Sequence, residues 1–321
     1  MMRAVRFHDY NGLSGVRIDQ IPTPSVDPGA LLVRVHAAGV NPFDRYAVEG
    51  YVNAFVSFTL PAVLGRDFSG VVEAVGAEVT GFMVGDAVFG QAAADAEGTF
   101  ADYVSIPVDR AAKKPETISH IDAASLPNVL MAAWDGLFST ARGLDLQPGQ
   151  TILINGAAGG IGGVATQLAR WRGARVIGTA SAGNLDLVRD LGAEPRDYAA
   201  SDWLDGLGEI DGVLDSADGS NADLICERLR PGDRYVALRG LPSADFAERW
   251  AAKGIVCRVA SGPDSAGAWP DMAKVVAQGP VRPVVTATYP LEQFGDALAA
   301  LGSGHARGKT VLIMKDSQDC P

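Results

Sequence analysis

The sequence predicts an α/β fold in which a mostly β domain is combined with a doubly wound parallel sheet domain, and three observations carry that prediction. From Met1 to about Asp122, short β-branched runs alternate with proline and glycine punctuation. After Ile121 the rhythm changes to strand, helix, strand, which calls for a parallel sheet covered by helices on both faces. At the head of that second rhythm, TILINGAAGGIGGVATQLAR (151–170) is an apolar run that breaks into five glycines and then reads as a helix. At 321 residues the chain exceeds what one hydrophobic core serves, so two domains, or one inserted in another, is the starting expectation.

In order, the first strands are AVRF, VRIDQI, ALLVRVHAAGV, SGVVEAVG, DAVFG and FADYVSI, with Pro22, Pro24, Pro28 and Pro42 among the breaks. The second region pairs TILIN with the helix GGVATQLARWRG, ARVIGTA with NLDLVRDLG, GVLDS with ADLICERLR and RYVAL with DFAERWAAKG. It ends on the strand IVCRVA. Beyond Gly262 come a helix (AWPDMAKVVAQG), an extended piece (PVVTATY), a helix (LEQFGDALAAL) and a strand (KTVLIM), which do not extend the repeat and are expected to rejoin the first domain. The predicted domains are therefore 1–122 with 263–321, and 123–262. No internal repeat or low-complexity segment interrupts them.

Composition narrows the function classes. Hydrophobic residues make up 47% of the chain and charged residues 20%, as in an ordinary soluble globular protein. A net charge of −11, with the acidic residues scattered, makes nucleic acid and anionic membrane poor partners. Cys226, Cys257 and Cys320 are widely spaced and form no CxxC pair, so they offer neither a disulfide framework nor a Cys-rich zinc site and read as two core thiols and one tail thiol. Arg3, Arg6, His8 and Asp9 interrupt any signal-peptide pattern, and Thr151–Ala169 is too rich in glycine to span a bilayer. The expectation is a cytoplasmic protein.

Gly159, Gly160 and Gly162 sit after a strand and before a helix, where a dinucleotide-binding turn needs them. A side chain at the turn or beside the pyrophosphate would push the ligand off the helix N-terminus, whose free N–H groups and dipole hold its charge. The fingerprint is met as Ala157-x-Gly159-x-x-Gly162, with Ile161 inside it and alanine at the first glycine position. A glycine-rich turn can also simply pack a helix close to a strand. The further strand-helix alternations favour the nucleotide reading.

At the tip of the next strand a carboxylate would bind the ribose 2′-hydroxyl of NAD. Here the segment reads GTASAGN, without an acid, which removes a repulsion against a 2′-phosphate and points to NADP(H). Ser181 and Asn184 are the candidate hydrogen-bond donors, Arg189 a source of charge, and Tyr198 a group to pack on or bond to the same end. The alternative for each is a surface polar group. A lysine or arginine inside the loop is missing.

Taken in order, AAGVNPFDRY (37–46), LGRDFSGVVEAVG (64–76), VGDAVFG (84–90), GTFADYVSIP (98–107), AASLPNVLMAAWDGL (123–137), LINGAAGGIGGVATQLAR and ARGKTVLI (306–313) cover nearly the whole chain. With these motifs the sequence resembles the medium-chain dehydrogenase/reductase superfamily. The resemblance implies a GroES-like domain built from both chain ends and an inserted Rossmann domain. Zinc alcohol dehydrogenases of that superfamily would bring a cysteine to the position of Asn41 and a His-Glu pair to Arg66-Asp67. A catalytic zinc takes three protein ligands, usually Cys, His or carboxylate, and Asn41 and Arg66 are neither. No metal site is expected, and a zinc alcohol dehydrogenase is the reading the residues argue against.

What remains is similar to the zinc-independent branch typified by zeta-crystallin and the NADPH:quinone oxidoreductases, with related alkenal and enone reductases. That branch implies hydride transfer to a quinone or an α,β-unsaturated carbonyl, where the oxygen that gains charge needs only hydrogen-bond donors and a later solvent proton. By resemblance Asn41 lies near the nicotinamide, Tyr46 and Tyr51 donate a phenolic hydrogen bond or stack on a flat ring, and Asp44 orients its neighbours. The structural alternatives are that Asn41-Pro42 is a turn, Asp44 caps the following helix and Tyr46 is core. Asp67 reads as a structural hydrogen-bonding carboxylate.

Leu238 to Gly240 are expected to approach the nicotinamide amide through backbone groups, and Arg307 and Lys309 are placed like family residues that reach the cofactor, although Lys309 also reads as the start of a strand. Ala132 stands where the family commonly has threonine. His8, His36, His120 and His305 are isolated in sequence. The resemblance suggests a homodimer. A second reading, from another class, is an NADPH-binding structural or sensing protein with little turnover.

Overall fold

A computed structural model describes residues 1–260, 267–301 and 307–314. Gly262, His305 and Cys320 lie outside the described residues. Two compact units are present: one takes Met1–Asn128 with the described parts of 266–278 and 283–321, the other the described parts of 129–265 and 279–282.

The first unit runs β1 (Met2–Phe7), β2 (Val16–Ile21), β3 (Ala30–Val40), α1 (Pro42–Val48), β4 (Ala62–Val63), β5 (Asp67–Val75), β6 (Ala87–Gln91), β7 (Tyr103–Pro107), β8 (Ala111–Lys113) and α2 (His120–Ser125). The helix α3 (Pro127–Phe138) leads into the second unit, which continues β9 (Thr151–Asn155), α4 (Gly160–Trp171), β10 (Arg175–Ala180), α5 (Leu185–Asp190), β11 (Glu194–Asp197), β12 (Gly212–Asp215), α6 (Ala222–Cys226), β13 (Arg234–Ala237), α7 (Phe246–Ala251) and β14 (Val256–Val259). The chain returns to the first unit as α8 (Trp269–Ala277), β15 (Val285–Pro290), α9 (Phe294–Ala300) and β16 (Lys309–Ile313).

The first unit's main sheet has the order β15-β16-β3-β5-β6-β8, with β7 also pairing with β3, and a smaller sheet has the order β2-β1-β4. The strand β3 is the organiser: its run ALLVRVHAAGV is almost wholly buried and bonds β5, β7 and β16. Phe7, Leu31, Val33, Phe68, Phe100, Ile106 and Leu312 fill the core beneath it. This is the GroES-like mixed sheet. The expected boundary at 122/123 differs from the observed division at 128/129 because α2 lies against β3, β5 and β16. Gly39 permits that approach, since a Cβ there would overlap the Ala124 carbonyl.

In the second unit the strands run β11-β10-β9-β12-β13-β14, every pair parallel. In chain order within the sheet this is 3-2-1-4-5-6, the Rossmann arrangement, with its topological switch point between β9 and β12. Leu153, Ile177, Val213, Tyr235, Phe246 and Trp250 form a core that also holds the buried thiols Cys226 and Cys257. Among the described residues, no helix is long and apolar enough to cross a membrane.

Candidate active site

The glycine turn stands at the carboxyl end of β9, beside the switch point. Gly156 has φ +81°, a left-handed conformation that costs a side-chain-bearing residue energy, and this bends the chain out of the strand. Its N–H donates to Thr179 Oγ1 at 3.1 Å, and Thr179 in turn donates to Asn155 Oδ1 at 2.6 Å. Across the switch point, Ser216 Oγ donates to the Asn155 carbonyl at 2.8 Å. The turn is therefore tied to β10 and to the end of β12 before α4 begins.

Ala157 lies in the turn, as the fingerprint spacing has it, but its side chain is fully buried and faces the position where Gly178 has none, while Gly156 before it takes the left-handed angle. The remaining glycines divide into two kinds. A Cβ on Gly162 would lie 2.8 Å from the Gly156 carbonyl carbon and 2.9 Å from the Ala157 Cα, so packing inside the protein demands glycine there. A Cβ on Gly159 would meet only the Gly156 oxygen, at 3.3 Å, and otherwise open space. Gly159 is the N-cap of α4, and Gly160, Ile161 and Gly162 form its first turn, whose N–H groups have no partner within the helix. This cradle fits the diphosphate of a dinucleotide, which a helix N-terminus holds through bare amides and its dipole.

Next to it, β10 pairs with β11 so that Ala180 lies opposite Asp197, which brings Ser181 and Tyr198 to the same edge. Asn184 Nδ2 donates to Ser181 Oγ at 3.1 Å, and Tyr198 is half-exposed. Arg189 is paired with Asp186 on the surface of α5, which leaves its charge engaged there. Past β13, the Leu238 N–H donates to the Asp215 carbonyl at 2.9 Å, while Gly240, at φ +95°, faces open space. Asp215 itself accepts the Tyr235 phenol at 2.6 Å and the Ala217 N–H at 2.8 Å. Asn155, Gly156, Thr179 and Ser216 are supports that sequence reasoning missed; the glycine directly after TILIN and the polar threonine inside an apolar strand were the available signals.

In the first unit, Asn41 caps α1. Its carbonyl accepts the Asp44 N–H at 3.0 Å, and its own N–H donates to Asp44 Oδ2 at 2.8 Å, so Asp44 closes the helix start as the structural alternative held. Tyr46, three residues beyond Phe43 on α1, is 37% exposed and meets Tyr51 edge to face, so it is not a core residue. The Asn41 side chain is buried and turned inward: Nδ2 donates to Asp67 Oδ2 at 2.9 Å, and Oδ1 accepts from Lys309 Nζ. Lys309 does begin β16, and it also donates to the Val40 carbonyl at 3.0 Å and lies 3.8 Å from Asp67 Oδ2. Gln91 donates to the other Asp67 oxygen at 2.9 Å. Arg307, by contrast, is exposed.

Burial dominates the titration of this cluster. It pushes the Asp44 carboxyl up to about 7, with the Asn41 N–H, Lys309 and Arg66 opposing and Asp67 adding to the rise. It also raises Asp67 and lowers Lys309, and each of those two charges opposes the other's shift. Of the histidines, His36 packs against His120 with ring centroids 4.6 Å apart and the rings tilted by 44°, and His120 Nδ1 meets Ser69 Oγ at 2.8 Å. Burial, then the His36 charge, pushes His120 down to about 4.

The positions where the superfamily's zinc enzymes would place ligands do not make a zinc set here. Asn41 Oδ1 already bonds an ammonium, Arg66 is a cation, and each oxygen of Asp67 already accepts from an amide. Among the described residues no group of three or more His, Cys, Asp or Glu is arranged to hold a metal ion.

A GroES-like unit with a dinucleotide-type parallel-sheet unit defines an oxidoreductase architecture. The alcohol dehydrogenase GroES-like domain family matches residues 27–116, and the zinc-binding dehydrogenase family matches residues 191–312. The mitochondrial NAD(P)H oxidoreductase RTN4IP1 of Danio rerio is 32% identical over 91% of this chain and 86% of its own length. The chloroplastic NADPH-dependent alkenal/one oxidoreductase of Arabidopsis thaliana is 30% identical over 97% of this chain and 79% of its own. The solved quinone oxidoreductase of Coxiella burnetii superposes with a TM-score of 0.86 at 28% identity, covering 97% of this chain and 99% of that one. The chain belongs to the medium-chain dehydrogenase/reductase superfamily, in the branch of NAD(P)H and quinone oxidoreductases.

Proposed function

We propose that the protein is an NADPH-dependent reductase that transfers hydride to a quinone or an α,β-unsaturated carbonyl. The observation that carries this reading is the Gly159 cradle at the switch point, where glycine is not required by the protein's own packing. Its similarity to the plant alkenal/one oxidoreductase and to the bacterial quinone oxidoreductase supports the acceptor class.

When bound, the reduced nicotinamide cofactor supplies the hydride. The chain's own residues bind and orient. The N–H groups of Gly160, Ile161 and Gly162 would hold the diphosphate, Ser181, Asn184 and Tyr198 the 2′-phosphate end, and the backbone from Leu238 to Gly240 the amide. Tyr46 is the phenol that donates to the acceptor oxygen as charge develops on it. Asn41 and Asp44, both turned inward, fix the start of the helix that carries Tyr46. A conjugated acceptor suits this set, because its developing oxyanion needs a donor and not a Lewis acid.

The test is oxidation of NADPH and NADH with 9,10-phenanthrenequinone, 1,4-benzoquinone and a short enone. The expected result is consumption with at least one acceptor class, faster with NADPH, with the preference reduced in Ser181→Ala and Tyr198→Phe. Tight binding of NADPH without consumption on any acceptor would reassign the protein as a cofactor-binding structural or sensing protein. Absence of binding to either coenzyme would remove both readings.

A further inference from the structure

We infer that Lys309 is a positioning residue, an internal counter-ion that locks Asn41 and Asp67 and through them α1, and not a contact to the cofactor. Three neighbouring strands deliver the parts. Lys309 opens β16, Asn41 follows β3, and Asp67 opens β5; β3 lies between the other two in the sheet, with Thr310 opposite Val40.

Lys309 is 8% exposed, and its ammonium donates to the Val40 carbonyl and Asn41 Oδ1, with Asp67 Oδ2 at 3.8 Å. The cation therefore has no need of an external anion. Its charge also explains the orientation of the Asn41 amide. The oxygen faces the ammonium and the nitrogen faces the carboxylate at 2.9 Å, and a flipped amide would set like against like on both sides. Asp67 is held on its second oxygen by Gln91, which is itself bonded by Arg66 at 3.2 Å and donates to Asn128 at 3.2 Å. The amide anchored in this way begins α1, so Tyr46 inherits its position from a lysine 263 residues further along the chain.

The arrangement predicts how charge removal propagates. Lys309→Met leaves buried Asp67 without its ammonium partner and with only Arg66 to oppose its charge, which destabilises more than the pair stabilised; Asp67→Asn in the same chain removes the stranded charge. Neither change restores the donor to Asn41 Oδ1.

The experiment measures melting temperature, NADPH dissociation constant and steady-state kinetics for K309M, D67N and K309M/D67N. The expected result for K309M is a melting temperature lowered on the order of 10 °C. K309M/D67N recovers at least half of that loss, and should K309M be insoluble, recovery of soluble protein in the double variant is the same outcome. Both lysine variants bind NADPH within about twofold of wild type, while kcat falls and stays low in the double variant; a purely structural pair would regain kcat with stability. The inference is overturned if K309M weakens NADPH binding tenfold or more with an unchanged melting temperature, or if D67N fails to rescue K309M. The kinetic arm rests on the reductase reading and the thermal arm does not, so a wild type without turnover would defeat that reading and leave Lys309–Asp67 coupling to be decided by melting alone.

Discussion

Replacing Gly159 and Gly162 separately by alanine should split binding from stability. At Gly162 the new methyl lies within 2.9 Å of backbone atoms of Gly156 and Ala157, with no flexible side-chain end to yield. Overpacking of that kind costs about 1–3 kcal/mol, or roughly 3–10 °C of melting temperature for a unit of this size. At Gly159 the backbone has φ −75°, which alanine adopts freely, and its methyl meets one oxygen at 3.3 Å. Reduced freedom of the unfolded chain contributes about 0.4–1 kcal/mol. Loss of a tolerated N-cap residue costs a similar amount, so the melting temperature should stay within about 2 °C of wild type.

The same methyl would stand where the diphosphate approaches. A 1–3 kcal/mol intrusion there weakens NADPH binding by about 5- to 150-fold. Differential scanning fluorimetry gives the first quantity and cofactor fluorescence titration the second. The reasoning fails if Gly159→Ala binds NADPH as wild type does, or if it melts as low as Gly162→Ala.

Further outcomes concern protonation and metal. The Asp44 carboxyl is raised to about 7 in the fold, so its contribution is fully present below pH 4 and is lost as pH rises through 7. Asp44→Asn, which can still accept from the Asn41 N–H, should therefore gain stability over wild type between pH 4.5 and 8.5, by roughly 2–4 kcal/mol, in denaturant melts; a constant difference would refute this. His120 is depressed to about 4, so its contribution is present above pH 6.5 and is lost as pH falls from there through 4. His120→Asn should flatten the acid limb of the melting curve by about 3 kcal/mol, and an unaltered limb would place the acid sensitivity elsewhere. Purified protein should carry well under one zinc per chain by elemental analysis, and treatment with a chelator should leave quinone reduction unchanged; stoichiometric zinc would overturn the argument from the donor set at Asn41, Arg66 and Asp67.

Much of the fold was legible because its signals are local. Apolar runs such as TILIN and ARVIGTA are strands of the parallel sheet, and the four helical stretches between its strands begin where the pattern changes. The segment EPRD, which pairs as β11, carries almost no apolar signal of its own and owes its extended form to β10. At the site, Gly159 could be read from its neighbours because the demand for a bare backbone is local. Asn41 and Lys309 could not be read in this way. Their geometry depends on β16 lying against β3, a pairing across some 270 residues that no periodicity encodes. Spacing likewise points to Ala157, the second residue of the turn, and passes over Gly156 before it, whose left-handed angle bends the chain.

The placement of β16 in the interior of the first sheet has a consequence for biosynthesis. A ribosome releases every strand of the second unit before it reaches residue 309, so that unit has its full complement of partners while the first still lacks a central strand. Until then Asp44 and Asp67 have Arg66 as their cation, and the ammonium that lies 3.8 Å from Asp67 arrives only with residue 309. Assembly of the first sheet is thus a long-range closure, slow by topology, and the nascent β3 edge is the surface a chaperone would have most reason to guard.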